Sequence, residues 1–357
     1  MQVFASLERD LRSGRFRAGD RLPSEAELVR AYGASRITVG RAMRDLQQAG
    51  LVERRAGSGT YVKPRADAAL SFGLLIPDLG DTEIFEPICQ GMTASPLARD
   101  HALVWGSSHG ADHAKEAWAW QLCHQYIARR VAGVFFAPLE LTSDKDAVNA
   151  RIAKALDGAG IAVVLLDRTV LPYPQRGHHD LVGIDNRRAG FVLTEHLLAQ
   201  GRRRIAFVAH PQAASTVDAR EAGYREALFT RGLDVDRTLA RRLDPDDADA
   251  VRGLLEEVRP DAIVCANDRT AARWMRALLA LGRKIPDDVA LVGIDDADYA
   301  RLLPVPLTTL RQPTRGIGEA AMAAMLERVA RRDLPARDIL LQCQLVVRDS
   351  CGGGHDG

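Results

Sequence analysis

From Val3 the apolar residues Val3, Phe4, Leu7 and Leu11 recur at helical spacing, and Ser13-Gly14 ends the run, so the pattern predicts a first helix. In the following Leu22-Pro23-Ser24-Glu25-Ala26-Glu27-Leu28, Ser24 with Glu27 three residues on forms a capping-box pattern, and a second helix is predicted from about Ser24 to Tyr32. Gly33 stops it. Ser35 caps a third helix, Arg36 to Ala49, ended by Gly50. On that helix Ile37, Val39, Met43 and Leu46 form the apolar set and are expected mostly to pack inward, leaving Ser35, Arg36, Thr38, Gly40 and Arg41 at its exposed amino-terminal end. Two β-rich runs, Leu51 to Arg55 and Thr60 to Val62, then flank Ala56-Gly57-Ser58-Gly59, the pattern of a hairpin.

After residue 70 the pattern changes. Strand-like apolar runs (72–76, 102–105, 133–137, 162–166, 181–184, 204–208, 262–265 and 290–294) alternate with helical segments at 114–129, 188–200, 220–231, 248–258 and 270–281. Such alternation predicts parallel sheets covered by helices on both faces, and about 280 residues exceed one comfortable core, so two α/β subdomains are expected. The expected division is a head at 1–63, a linker at 64–70, a body at 71–349 and a flexible tail at 350–357.

With 46% hydrophobic and 27% charged residues in 357, disorder, collagen and coiled-coil rod are excluded. Five scattered cysteines with no C-x-x-C pair argue against a zinc ribbon or a secreted disulfide framework. No signal-like or membrane-spanning run is present, so a cytoplasmic location is expected; the first helix lies so close to Met1 that a start slightly upstream is also expected. The near-neutral total hides an asymmetry. Residues 1–65 carry 13 Arg or Lys against 7 Asp or Glu, net +6, and the remainder 35 against 40, net −5. A basic head on an acidic body points to a polyanion as the head's partner.

Two helices joined by a short glycine turn make a helix-turn-helix, whose second helix enters the major groove end-on. Arg36 suits a bidentate contact to guanine and Thr38 a base methyl or phosphate. Gly57 and Gly59 let the hairpin tip approach a sugar-phosphate backbone, with Arg54 and Arg55 beside it. Gly57-Ser58-Gly59-Thr60 lacks the Gly-Lys-Ser/Thr and the helix of a nucleotide-binding loop. Through Ser13-Gly14, Ala18-Gly19-Asp20, Leu22 to Glu25, Ser35 to Val39, Leu51-Val52 and Gly57 to Val62, the head resembles the winged helix-turn-helix of the GntR family. The resemblance implies DNA-binding residues Ser24, Ser35, Arg36, Thr38, Arg41, Arg54, Arg55, Gly57, Ser58, Gly59 and Thr60. The family commonly has arginine where this chain has Ala26 and Gly40, so an operator preference shifted from the family norm is expected.

In the body, polar residues follow four strands as if on one rim: Asp167-Arg168, Asp185-Asn186, Asn267-Asp268 and Asp295-Asp296. Carboxylates, amides and guanidinium together pair with vicinal hydroxyls, which suits a sugar or polyol. No Gly-x-Gly-x-x-Gly follows the first strand at Ile76 to Asp81. Asp185, Asn186 and Asp268 are expected to be helix caps or inter-strand bonders and Asp296 a turn residue. Adjacent Asp295 and Asp296 point to opposite faces and cannot flank one bond as a glycosidase pair does, so no catalytic residues are expected. His109 and His113 lack companion ligands and His178-His179 reads as loop, so neither metal nor cofactor is expected. Of Trp118 and Trp120, two apart on a helix, at least one is expected to be partly exposed.

The body resembles the effector domain of the LacI family and the periplasmic ribose-type sugar-binding proteins. The resemblance rests on Val164 to Arg168, Gly183 to Asn186, Ala189-Gly190, Gly201 to Ala206, Arg220 to Tyr224, Ala266 to Asp268, Ile285 to Asp296 and Leu307 to Pro313. It implies a periplasmic-binding-protein-like type I fold of two doubly wound parallel-sheet subdomains. It also implies an effector set of Phe85 (stacking on a sugar ring), Asp167, Arg168, Thr216, Arg220, Asn267, Asp295 and Gln312. The combination is similar to that of arabinose-repressor-type regulators: a repressor that binds operator DNA as a homodimer under control of a sugar. A transport or sensor protein without a DNA role is the alternative, opposed by the head.

Overall fold

The computed structural model describes residues 2–12, 15–16, 19–55, 57–62, 69–77, 83–106 and 115–353. The chain divides into two units, Met1–Ala69 and Leu70–Gly357. Ser13-Gly14, most of the expected linker, His109 and His113 lie outside the described residues.

In the first unit α1 (Gln2–Arg12), α2 (Glu25–Tyr32) and α3 (Arg36–Gln48) are followed by the antiparallel strands β1 (Val52–Arg55) and β2 (Gly59–Val62). Ser24 and Glu27 make the capping box, and the Ser35 hydroxyl accepts the Thr38 N–H. Leu22 N donates to Thr60 O at 2.8 Å, tying the segment before α2 to the hairpin. Val3, Leu7, Leu22, Leu28, Val39, Met43, Leu46 and Val52 form the core. Ile37 does not join them: it is 82% exposed. Two residues are about 200° on a helix, so Ile37 faces away from Val39 and cannot share its buried side.

In the second unit one six-stranded sheet, entirely parallel, contains β3 (Ser71–Leu75), β4 (Ala102–Trp105), β5 (Gly133–Phe136), β6 (Ala162–Leu166), β7 (Asp180–Ile184) and β13 (Asp338–Leu341), in the order β13-β7-β6-β5-β3-β4. The other contains β8 (Ile205–Ala209), β9 (Ala240–Arg242), β10 (Ala262–Cys265), β11 (Ala290–Asp295), β12 (Thr308–Arg311) and β14 (Gln344–Val346), in the order β14-β12-β11-β10-β8-β9, with only β14 antiparallel. The chain therefore crosses between lobes at 184–186, 311–314 and 341–344. Helices α4 (Phe85–Ala94), α5 (Lys115–Arg129), α6 (Lys145–Gly158) and α11 (Thr314–Ala330) cover the first sheet. The second is covered by α7 (Asn186–Ala199), α8 (Ser215–Thr230), α9 (Ala248–Glu257) and α10 (Asp268–Ala280).

The pair α7·α8 packs backbone to backbone. A Cβ on Gly190 would lie 1.9 Å from Arg220 O and one on Gly223 1.8 Å from Arg187 O, so only glycine permits this approach. Gly91 and Gly318 perform the same service between α4 and α11.

The expected flexible tail from residue 350 is not what the structure shows at its start. Ser350 and Cys351 are buried, and the Ser350 hydroxyl donates to Leu291 O at 2.5 Å and accepts from Thr308 N at 2.8 Å. These residues satisfy backbone groups between β11 and β12 that burial would otherwise leave unpaired. Trp118 and Trp120 are both partly exposed.

Candidate effector cleft and nucleic-acid interface

In a parallel sheet the functional edge is the carboxyl end of the strands. The four polar pairs expected on one rim are divided between the two sheets, because β6 and β7 belong to one and β10 and β11 to the other. Their ends line a cleft between lobes. Its lips meet: Leu141 N donates to Gln212 O at 3.0 Å, and Tyr299 Oη to Glu83 Oε1 at 3.0 Å.

On the first lobe Asp167 and Arg168 follow β6, both buried, with Asp167 at φ 65°. Arg168 Nη1 lies 2.5 Å from Glu140 Oε1, its Nε 3.6 Å from Asp167 Oδ2, and its guanidinium 5.6 Å from the ring of buried Phe85. Phe85 is the first residue of α4. Glu140 was not among the expected residues. Its signal was available, since it follows the apolar run 133–137 at a strand's carboxyl end.

On the second lobe Arg220, 4% exposed on α8, donates from Nε to Asn186 Oδ1 at 2.8 Å and from Nη1 to Ala266 O at 2.6 Å. Thr216 is buried one turn earlier. Gln312 Nε2 donates to Asp295 Oδ1 at 2.8 Å, joining two expected residues. Asn267 is partly exposed and uses its side-chain oxygen to cap α10, accepting from Thr270 N at 2.8 Å. Asp185 caps α7. Asp268 bonds Thr309 Oγ1 at 2.6 Å and Ala297 N at 2.9 Å, and Asp296 pairs with Arg311 and Arg348.

Electrostatics tie the two sides together. Burial raises Asp167 above the ordinary carboxylate range although Arg168 and Arg220 pull it down. Burial also raises Glu140, but Arg168, Lys115 and Arg220 together hold it below that range. Asp295 is pushed well up by burial, with Arg220 opposing and Asp268 adding to the shift. The charge of Arg220 thus acts on three carboxylates from both lobes.

In the head, Ser35, Arg36, Ile37 and Thr38 are consecutive exposed residues at the start of α3, with Arg41 exposed one turn on. Ser24 is exposed at the start of α2 and serves as its cap. Arg54 reaches Glu25 at 3.9 Å; Arg55 pairs with Glu53 at 2.6 Å and lies 4.6 Å over the Tyr61 ring. Gly57 (φ 74°) and Ser58 are exposed at the hairpin tip, with Gly59 (φ 127°) and Thr60 half-buried. Arg21, absent from the expected set, packs its Nε 2.7 Å from where a Gly59 Cβ would stand, and the φ of 127° at Gly59 is what favours glycine in β2 there.

A helix-turn-helix with an exposed reading end, joined to a two-lobed body with a buried polar cleft, defines a DNA-binding regulator with a small-molecule site. Residues 1–62 match the family described as bacterial regulatory proteins, gntR family, and residues 194–351 the periplasmic binding protein-like domain. The chain is 30% identical to the HTH-type transcriptional regulator CelR of Thermobifida fusca over 89% of each chain. It is 26% identical to the arabinose metabolism transcriptional repressor of Geobacillus stearothermophilus over 95% of this chain and 93% of that one. A solved structure of a transcriptional regulator CelR–cellobiose complex superposes with a TM-score of 0.66 at 25% identity, covering 92% of this chain and 100% of the other. The chain belongs to the bacterial transcription regulators that join a helix-turn-helix head, here of the GntR family, to a LacI-type periplasmic-binding-protein-like body. No described helix is long and apolar enough to cross a membrane.

Proposed function

We propose that the protein is a cytoplasmic, homodimeric repressor whose grip on operator DNA is set by a sugar or related polyol held in the cleft. The observation that carries this reading is the set Glu140, Asp167, Arg168, Arg220 and Asp295, contributed by both lobes and largely withdrawn from water. Its donors and acceptors match vicinal hydroxyls. Arg168 and Arg220 donate to the sugar, Asp167 and Asp295 accept, Asn267 and Gln312 add amide contacts, Phe85 covers a ring face, and Thr216 lies beside Arg220. Because the residues come from both lobes, a sugar favours the closed arrangement, and only such a preference shifts the population that binds DNA.

In the head, Arg36, Thr38 and Arg41 enter the major groove, while Ser24, Ser35, Arg54, Arg55 and residues 57–60 meet the backbone. A homodimer sets two heads on half-sites related by its twofold axis. The test is a thermal-shift screen over pentoses, hexoses, disaccharides, polyols and their phosphates, beginning with arabinose and cellobiose, followed by gel retardation of promoter fragments. A stabilising sugar that also changes retardation is expected. A chain that no sugar stabilises and that retards no fragment would refute the reading.

A further inference from the structure

Away from the cleft, the loop leading into β7 brings two adjacent imidazoles onto one carboxylate. His179 Nε2 lies 2.9 Å from Asp157 Oδ1 and His178 Nε2 3.0 Å from Asp157 Oδ2, with the two rings 4.2 Å apart. Asp157 is near the end of α6, where the helix dipole is negative and a carboxylate is at its least favourable without a cation. One ligand atom from each of the three residues falls within 4.8 Å of the others. A tetrahedral ion with bonds of about 2.0–2.1 Å separates its ligand atoms by roughly 3.3 Å, so the side chains stand close to coordinating distance already.

The loop is held rather than loose. Arg176 Nη1 donates to Gly177 O at 2.7 Å and His179 O at 3.0 Å, while its Nη2 pairs with Asp338 of β13 at 2.7 Å. The next residue, Asp180, is fully buried and paired with Arg328. His179 is thereby fixed, His178 is 75% exposed, and Asp157 is one-third exposed, which leaves the fourth side open to water.

We propose that Asp157, His178 and His179 form a binding site for a divalent transition-metal ion, best suited to zinc. Two neutral imidazoles and a carboxylate are borderline ligands of the kind zinc takes, whereas magnesium and calcium want oxygen donors alone. No spacing motif announces the site, because Asp157 stands on a helix 21 residues before His178. The site lies at the amino-terminal edge of the first sheet, the edge where the chain enters through Leu70 into β3. Bound metal would clamp α6 to the loop that feeds β7 and the first crossover.

The experiment titrates zinc chloride into chelator-stripped full-length protein, without sugar, in competition with a chromophoric chelator. The expected result is one high-affinity equivalent per chain, weakened at least tenfold by His178→Ala and by Asp157→Asn. His178→Ala removes an exposed side chain and should keep the melting temperature of the metal-free protein, so lost binding is not lost fold. Cobalt in place of zinc should show visible tetrahedral d–d bands that both variants abolish. Absence of a stoichiometric equivalent, or uptake that neither variant changes, overturns the proposal.

Discussion

Arg220, on α8 of the second lobe, is held through its Nε by the side-chain oxygen of Asn186 at the first crossover between lobes, 2.8 Å away. The guanidinium that acts on carboxylates of both sides is therefore aimed by a residue at the hinge. Asn186 was legible only as part of a helix-capping pair, since nothing in a strand-end Asp-Asn pair says which side chain will orient an arginine 34 residues later. Arg220→Ala should abolish the sugar-induced thermal shift. Asn186→Ala should leave a weakened one, because Ala266 O still accepts from Nη1. Equal shifts in both variants and the wild type would remove Arg220 from the site.

Stability in acid should depend on Asp180, which is fully buried between Arg328 and Arg337. Burial raises its pKa, yet hydrogen bonds from both arginines and the charge of Arg328 win and hold it below the usual range. A folded pKa below the unfolded one means the stabilisation is present above about pH 4 and is lost as the pH falls through the folded value. Asp180→Asn leaves Arg328 buried without its charge partner and should cost about 3–5 kcal/mol at neutral pH. Urea midpoints should show the gap to wild type narrowing below about pH 4.

Element types and the two-lobed plan could be read from the chain because period-2 and period-3.6 runs alternate, and parallel strands are apolar throughout. Division of the strand ends between two sheets could not, since neither Asp167-Arg168 nor Asp295-Asp296 records which sheet its strand joins. In the cleft, Asp167, Arg168 and Arg220 were visible as charges at the ends of apolar runs or on a matched motif. Glu140 was missed although it follows such a run, because the residues between, Pro138 and Leu139, blur the strand end. Ile37 was misplaced by counting hydrophobicity without angle. The packing of Ser350 and Cys351 carries no local pattern, as it depends on backbone groups of distant strands.

Two glycines on helices should respond oppositely to alanine. A Cβ on Gly40 of α3 meets nothing within 4 Å, so Gly40→Ala should stabilise the head by about 0.5–1 kcal/mol through helix propensity. Gly190→Ala drives a methyl into Arg220 O, at 1.9 Å, and must part α7 from α8. A loss of about 1–3 kcal/mol is expected, with a weaker sugar response because α8 carries Arg220. Denaturant titration and the thermal-shift assay measure the two effects.

The reading end of α3 offers Arg36 and Ile37 side by side, both exposed, the latter at 82%. An apolar side chain held in water there costs nothing in the core and is suited to a thymine methyl, as the arginine is to guanine. Arg36→Ala should weaken operator binding by about 1–3 kcal/mol and relax preference at one base pair. Ile37→Ala should leave the stability of the free head unchanged while discriminating less between thymine and uracil at a neighbouring pair. Arg54→Ala, at the hairpin, should instead weaken all sequences alike and lower the salt slope by about 1. Binding measured at three salt concentrations on matched and single-substituted operators separates the three patterns, and a uniform loss for Arg36→Ala would move that side chain from the base edges to the phosphates.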